Sequence, residues 1–77
     1  MKNKREVPDI IRKNIANVGK RIAQLRLSKN LTQEKLAYGI GIAKSYLGYI
    51  ERGVANPTLE TLYLIADGLD CDIKDFL

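Results

Sequence analysis

Apolar residues recur every three or four positions along most of the chain, and this is the spacing of one face of an α-helix. The first stripe is formed by Ile11, Ile15, Val18, Ile22 and Leu25. It predicts helix 1 from about residue 9 to residue 29, beginning after Pro8 and interrupted by Gly19. The sequence shows no sustained alternation of apolar and polar residues, the pattern that would indicate strands. We therefore predict an all-α fold.

Two short helices joined by a tight turn follow the first stripe. Thr32 caps helix 2, TQEKLAYGI, because its hydroxyl can accept a hydrogen bond from a free backbone N–H. Helix 3 covers residues 44–52 and ends at Gly53, as helices often do at a glycine. A turn centred on Gly41 joins the two helices. This arrangement is a helix-turn-helix layout over about residues 32–52.

The rest of the chain predicts two more helices. Thr58 caps helix 4, residues 59–68, and a last short helix covers residues 73–77. The count is therefore five helices. They form a single domain over residues 9–77, and the polar residues 1–8 are expected to be a flexible N-terminal segment.

The composition excludes several classes of protein. The chain has 77 residues, enough for one small domain, with no histidine and one cysteine, Cys71. An internal disulfide, a zinc site built from cysteines and the commonest general base are therefore ruled out. No apolar run could span a membrane and no signal peptide is visible. We expect a cytoplasmic protein that is not an enzyme and has no metal, cofactor or small-molecule effector.

Charge is distributed unevenly along the chain. Residues 1–52 contain twelve Lys and Arg against four Asp and Glu, whereas residues 53–77 contain one against five. A basic region on one side is the electrostatic footprint of a nucleic-acid-binding protein. Uneven decoration of an ordinary soluble domain would produce the same count.

Helix 3 has an outer face that suits the major groove of DNA. At about 100° per residue, Leu47 and Ile50 fall together on a side that would be buried. The other side carries a lysine, two hydroxyl groups and a glycine, and such donors and acceptors can read base edges. The glycine would let the helix approach the bases closely. The predicted base-contacting residues are Lys44, Ser45, Gly48 and Tyr49.

Several short pieces of residues 18–77 carry a family resemblance, namely LTQEKLA, the GI of the turn, IERG, NPTLETL and IADGL. Together they resemble the helix-turn-helix family of phage lambda-type repressors and Cro, which includes bacterial xenobiotic-response-element regulators. AKSYLGYIERG followed by NPTLETL is somewhat closer to the controller proteins of restriction–modification systems. The resemblance implies a five-helix, lambda-repressor-like domain whose helix 3 lies in the major groove of double-stranded DNA.

The resemblance also implies roles for residues outside helix 3. In the family, the residue matching Gln33 holds a backbone phosphate, at a helix N-terminus where free N–H groups favour an anion. Residues matching Arg26 and Glu51 form a partly buried ion pair between helices 1 and 3. Loop position suggests phosphate contacts for Asn56 and Thr58, and charge suggests them for Arg52, Lys35 and Lys20. Tyr46 is a sixth candidate, since it could hydrogen-bond a phosphate. Tyr46 could instead pack at the edge of the core.

Relatives in the family bind two-fold symmetric sites as homodimers, with half-sites about one helical turn apart. The acidic C-terminal part of this chain carries apolar residues that a domain of this size need not all bury. The predicted homodimer interface comprises Leu64, Ile73, Phe76 and Leu77. The alternative for Phe76 is that it closes the core.

These features predict a sequence-specific DNA-binding transcriptional regulator that binds a palindromic operator. A phage repressor, a restriction–modification controller and an antitoxin are all compatible with the sequence. The alternative function is a protein-interaction module, antitoxin-like, that kept the fold and binds DNA weakly or without specificity. Gly48 inside helix 3 and Ala43, which cannot cap that helix, suit this alternative. The basic first half argues against it.

Overall fold

The computed structural model describes residues 6–77, and within this range it contains helices and no strand. It consists of α1 Asp9–Ser28, α2 Gln33–Ile40, α3 Lys44–Glu51, α4 Leu59–Gly68 and a 3-10 turn, Ile73–Asp75. The predicted all-α class is confirmed. Of the N-terminal segment expected to be flexible, residues 1–5 lie outside the described residues.

The prediction of a fifth helix is wrong. The segment after α4 closes a single 3-10 turn, in which Phe76 N donates to Ile73 O at 3.2 Å. Asp72 caps this turn by accepting a hydrogen bond from Lys74 N at 2.9 Å. A segment this short cannot offset the cost of nucleating an α-helix, because that nucleus fixes several residues for one hydrogen bond.

The helix boundaries follow the predicted caps. Thr32 Oγ1 accepts a hydrogen bond from Lys35 N at 3.0 Å, and Thr58 Oγ1 accepts one from Thr61 N at 3.1 Å. Ala43 precedes α3 without any side-chain cap. These local signals place α2, α3 and α4 in the predicted order, so the helix-turn-helix spans the expected part of the chain.

The core is aliphatic apart from one aromatic side chain. Its fully buried members are Phe76, Ile22, Leu47, Ile50, Ile65 and Leu69. The burial of Leu47 and Ile50 fixes which face of α3 is turned inward, as the helical spacing predicts. Phe76 was assigned to the homodimer interface, and this assignment must be corrected: with an exposure of 0 %, its ring closes the core.

Candidate nucleic-acid interface

The outward face of α3 forms one wall of a shallow depression of about 300 Å³. Its lining residues are Gln33, Lys44, Ser45, Gly48, Tyr49 and Arg52. All six were predicted from the sequence to contact bases or phosphates. The fold therefore brings the first turn of α2 and the outer face of α3 together on one surface.

Gly48 lies at the bottom of this depression and is buried, although the sequence suggested an open surface there. The side chains of Gln33 and Arg52 cover it. A Cβ atom added at Gly48 would lie 3.3 Å from Arg52 Nη1 and 3.6 Å from Gln33 Oε1. The glycine therefore provides space for the Arg52 guanidinium, whereas the Gln33 amide would be in ordinary van der Waals contact with an added methyl group.

Arg52 and Tyr49 form a cation–π contact on the rim of the depression. The guanidinium carbon of Arg52 lies 5.1 Å from the centroid of the Tyr49 ring. Both side chains are exposed, and such contacts at exposed sites are worth about 0.5–1 kcal/mol. The contact holds the Arg52 guanidinium beside the Tyr49 ring, at the edge of the depression.

A buried ion pair joins α3 to α1. Arg26 Nε lies 2.8 Å from Glu51 Oε2 and Arg26 Nη2 lies 3.0 Å from Glu51 Oε1, with side chains exposed by 10 % and 5 %. Arg26 Nη1 also donates to Leu31 O at 2.7 Å. The structure thus places the two residues together across α1 and α3, as the family resemblance implies.

The Glu51 carboxylate also binds the side chain of Gln33, a contact that the sequence analysis did not predict. Gln33 Nε2 donates a hydrogen bond to Glu51 Oε1 at 2.8 Å. The two residues are separated by eighteen positions and lie on different helices. No local pattern could reveal this contact, because it depends on how α2 and α3 cross.

The other predicted phosphate contacts lie outside the depression. Asn56 and Thr58 are exposed in the segment before α4, but the Thr58 hydroxyl is already engaged with Thr61 as a helix cap. Tyr46 is half-buried and packs against the core, which was the alternative prediction for it. Lys20 on α1 and Lys35 on α2 are exposed lysines that do not line the depression.

Apolar side chains remain exposed on and after α4. Leu64 is exposed by 37 % and Leu77 by 56 %, whereas Ile73 is half-buried against the core. Leu59 and Tyr63, which the sequence analysis did not assign to an interface, are also exposed and lie four residues apart on one face of α4. Their spacing was the signal that could have identified them.

Cys71 is half-buried near the end of the described chain. Burial raises the pKa of its thiol, and the carboxylate of Asp75 raises it further.

Residues 6–77 contain no group of histidine, cysteine or acidic side chains that could hold a metal ion. Within the same range, no helix combines the length and the apolar character needed to cross a bilayer.

Comparison with known families and curated proteins identifies the chain's relatives. A family model described as "Helix-turn-helix" matches residues 22–76. Control protein C.BamHI of Bacillus amyloliquefaciens is 40% identical over 60 residues, which cover 77% of this chain and 74% of the relative.

Solved structures resemble this chain in fold and, in part, in sequence. The restriction-modification controller protein C.AhdI from Aeromonas hydrophila superimposes with a TM-score of 0.82 at 34% identity, covering 84% of this chain and 98% of that protein. C.Esp1396I, solved as a tetramer in complex with its natural 35 base-pair operator, gives a TM-score of 0.76 at 36% identity, covering 82% and 83%. The chain belongs to this helix-turn-helix family, and the three relatives named here are control or controller proteins.

Proposed function

We propose that this chain is a DNA-binding transcriptional regulator that recognises a palindromic operator as a homodimer, with α3 lying in the major groove. The observation that carries the proposal is the depression on α3, which gathers six polar or small residues on one exposed surface. Family membership supports DNA binding, since C.Esp1396I and SinR were both solved in complex with DNA.

Base recognition is assigned to the side chains of the depression. Lys44 and Ser45 are exposed at the start of α3, and Tyr49 follows one turn later. Lysine can donate to guanine O6 and N7, whereas hydroxyl groups can donate or accept. Arg52 was predicted to bind phosphate, and its place beside Tyr49 lets its guanidinium reach either a phosphate or a base edge.

Phosphate contacts are assigned to the edges of this surface. Asn56 is exposed after α3, and Lys35 is exposed on α2. Such contacts orient a protein on the duplex without reading its sequence. Because each neutralised phosphate releases counterions, the proposal predicts that affinity falls steeply with salt.

The homodimer interface is assigned to the exposed apolar residues of α4 and the C-terminal segment. Leu64 and Leu77 are exposed, as an interface requires, and Leu59 and Tyr63 add exposed apolar area on α4. A two-fold axis through this region would present two copies of α3 to two half-sites, which is how a small domain obtains enough contacts for specificity. The solved C.Esp1396I complex is a tetramer on its operator.

The test is selection of genomic DNA fragments by the purified protein at physiological salt, followed by sequencing. The variant Lys44→Ala, Tyr49→Ala removes two proposed base contacts. The control Lys13→Ala, Tyr38→Ala removes the same two residue types from exposed positions outside the depression. Recovery of one palindromic motif by the parent and the control, and its loss in the first variant, is the expected result.

Two other outcomes contradict the proposal in different ways. Uniform, salt-sensitive recovery of fragments would leave DNA binding without sequence recognition. No recovery at any salt concentration, from a protein that is folded by circular dichroism, would favour the protein-interaction module suggested by Ala43 and Gly48.

A further inference from the structure

A groove follows the first half of the apolar stripe of α1. The side chains that line it on this helix and just before it are Val7, Ile11, Ile15 and Val18. Three adjoining depressions of about 270, 300 and 160 Å³ make up its length, and neighbouring ones share Val7 or Ile15. The groove has no lining residue in common with the depression on α3, so the two surfaces can be occupied at the same time.

The fold leaves this part of the stripe uncovered. Farther along the same stripe Ile22 is fully buried, whereas Ile11 is exposed by 45 % and Val7 by 44 %. All residues from 6 to 14 are exposed, and α1 begins after Pro8 without a side-chain cap. An uncapped helix end that continues an apolar stripe beyond the core is stabilised by packing against something else. This end of α1 therefore has the character of a docking surface.

The inner end of the groove reaches the proposed homodimer interface. Ile15 and Val18 line the same depression as Leu62 of α4 and Leu77 of the C-terminal segment. Leu77 is exposed by 56 % and was assigned to that interface. A second copy packed on the C-terminal segment would therefore lie at the mouth of the groove.

The size of a stable interface requires more surface than the C-terminal part provides. A standard interface uses roughly 20–30 residues on each side. Residues 59–77 are fewer than this, and five of them are buried in the core. The groove along α1 is the adjoining apolar surface that can supply the remainder.

The charges on the two surfaces are complementary. Glu60 and Asp67 lie on the same outer side of α4 as its exposed apolar residues, and both carboxylates are exposed. Arg12 is exposed and lines the groove. Within residues 6–77, none of these three side chains forms an ion pair. Because Glu6 lies at the outer end of the groove, the acidic side of α4 fits best beside Arg12.

Other occupants suit the groove less well. Residues 1–5 of the same chain are Met-Lys-Asn-Lys-Arg, and this composition does not match an apolar surface. DNA is excluded for the same reason, because its exposed backbone is anionic. The family model begins at residue 22, so the wall that α1 contributes to the groove precedes the residues that the family match describes.

We propose that the groove along α1 binds the outer face of α4 from a second copy of this chain. The contact is reciprocal, so that each copy holds the partner's α4 and a two-fold axis closes the dimer. This arrangement rests on the homodimer of the proposed function, and it adds the surface that α4 contacts.

The experiment is sedimentation equilibrium of the full chain, comparing Ile11→Glu with Ile10→Glu. Ile10 is exposed by 62 %, lies about 100° away around the helix and lines none of the three depressions of the groove. Ile11→Glu should weaken dimerisation by roughly 100-fold or more, because the two-fold axis places the unpaired charge in both contacts. Ile10→Glu should change it by less than about threefold.

A charge exchange tests the identity of the occupant. Arg12→Glu and Glu60→Arg should each weaken self-association, because each variant opposes like charges in both contacts. An equimolar mixture of the two variants should dimerise again, since every contact then joins a glutamate to an arginine. An interface made by α4 alone would not respond to Arg12→Glu.

The outcomes separate the inference from the proposed function. A dimer that is unchanged by Ile11→Glu, or weakened equally by Ile10→Glu, overturns the groove and leaves the homodimer in place. A parent that is monomeric at every concentration refutes the proposed homodimer itself, and the groove contact with it. Circular dichroism checks folding, and if Ile11→Glu fails to fold, Val7→Glu tests the same groove from a position before α1.

Discussion

Gly19 of α1 lies directly against the backbone carbonyl group of Ile50 in α3, and a Cβ atom at this position would overlap with that oxygen. The carbonyl of Glu51 lies next to the same site. Backbone atoms cannot move aside as the end of a flexible side chain can. The close crossing of α1 and α3 therefore requires glycine, and this crossing also brings Arg26 within reach of Glu51.

The first prediction concerns this crossing. Gly19→Ala should destabilise the protein by about 3 kcal/mol or more, at the upper end of the usual cost of overpacking, because the obstacle is backbone. Gly39→Ala is the matched control, since nothing lies within 4 Å of its added Cβ. Alanine in place of this helical glycine should stabilise the protein by roughly 0.5–1 kcal/mol. Urea denaturation measures both effects, and equal stability of the two variants would contradict the packing argument.

The second prediction concerns the buried ion pair. Arg26→Ala leaves the carboxylate of Glu51 without its charged partner, and the expected cost is about 3–5 kcal/mol of unfolding free energy. Arg21→Ala is the control, because Arg21 is exposed and its side chain donates to Leu77 O at 3.2 Å. The control should lose less than about 1 kcal/mol. An unchanged melting temperature for Arg26→Ala would show that the pair contributes little.

The third prediction separates stability from DNA binding at Gly48. Gly48→Ala should raise stability by up to about 1 kcal/mol, since its nearest obstacle is the mobile end of Arg52. The same methyl group crowds the Arg52 guanidinium at 3.3 Å and displaces it, so affinity for the selected operator should fall. Thermal melting and fluorescence anisotropy measure the two quantities on one sample. Reduced stability with unchanged affinity would mean that Arg52 cannot move as proposed.

The fourth prediction concerns the reactivity of Cys71. Because burial raises the pKa of its thiol, less of the nucleophilic thiolate is present at neutral pH than in a free cysteine. Iodoacetamide should therefore alkylate the native protein more slowly than it alkylates glutathione at pH 7. The rate should recover in denaturant, where the thiol is no longer buried and the carboxylate of Asp75 is no longer held near it. Equal rates before and after unfolding would contradict the shift.

The fifth prediction concerns the proposed homodimer. Leu64→Glu places a charge within the exposed apolar surface of α4 and should shift the protein from dimer to monomer in sedimentation equilibrium. Ile10→Glu is the control, because Ile10 is exposed and lies outside the proposed interface. A dimer that survives Leu64→Glu with unchanged affinity would place the interface elsewhere.

The sequence predicted those features that depend on neighbouring residues. Thr32 and Thr58 marked the helix starts because a cap acts within three positions along the chain. The spacing of Leu47 and Ile50 fixed the buried face of α3, and so the residues of its outer face. The sequence was sufficient in these cases because the interactions that set each feature join residues only a few positions apart.

Features that depend on tertiary packing could not be predicted in this way. The hydrogen bond from Gln33 to Glu51 and the covering of Gly48 both arise from the crossing of α2 and α3. Phe76 was assigned to an interface because its hydrophobicity alone does not show whether it packs within one chain or between two. The last helix was overestimated because an apolar pattern does not reveal how few hydrogen bonds a short segment can close.

The sharing of one Glu51 oxygen between Arg26 and Gln33 has a consequence for protein engineering. Retargeting the protein to new operators would ordinarily begin by randomising every residue of the DNA-binding surface. At position 33, replacements that cannot donate a hydrogen bond would leave Arg26 as the only side-chain donor to Glu51 Oε1, so library members would lose stability as well as recognition. A productive library would keep Gln33 and vary Lys44, Ser45 and Tyr49. The side chains of these three residues are exposed and make no hydrogen bond to a buried group within residues 6–77.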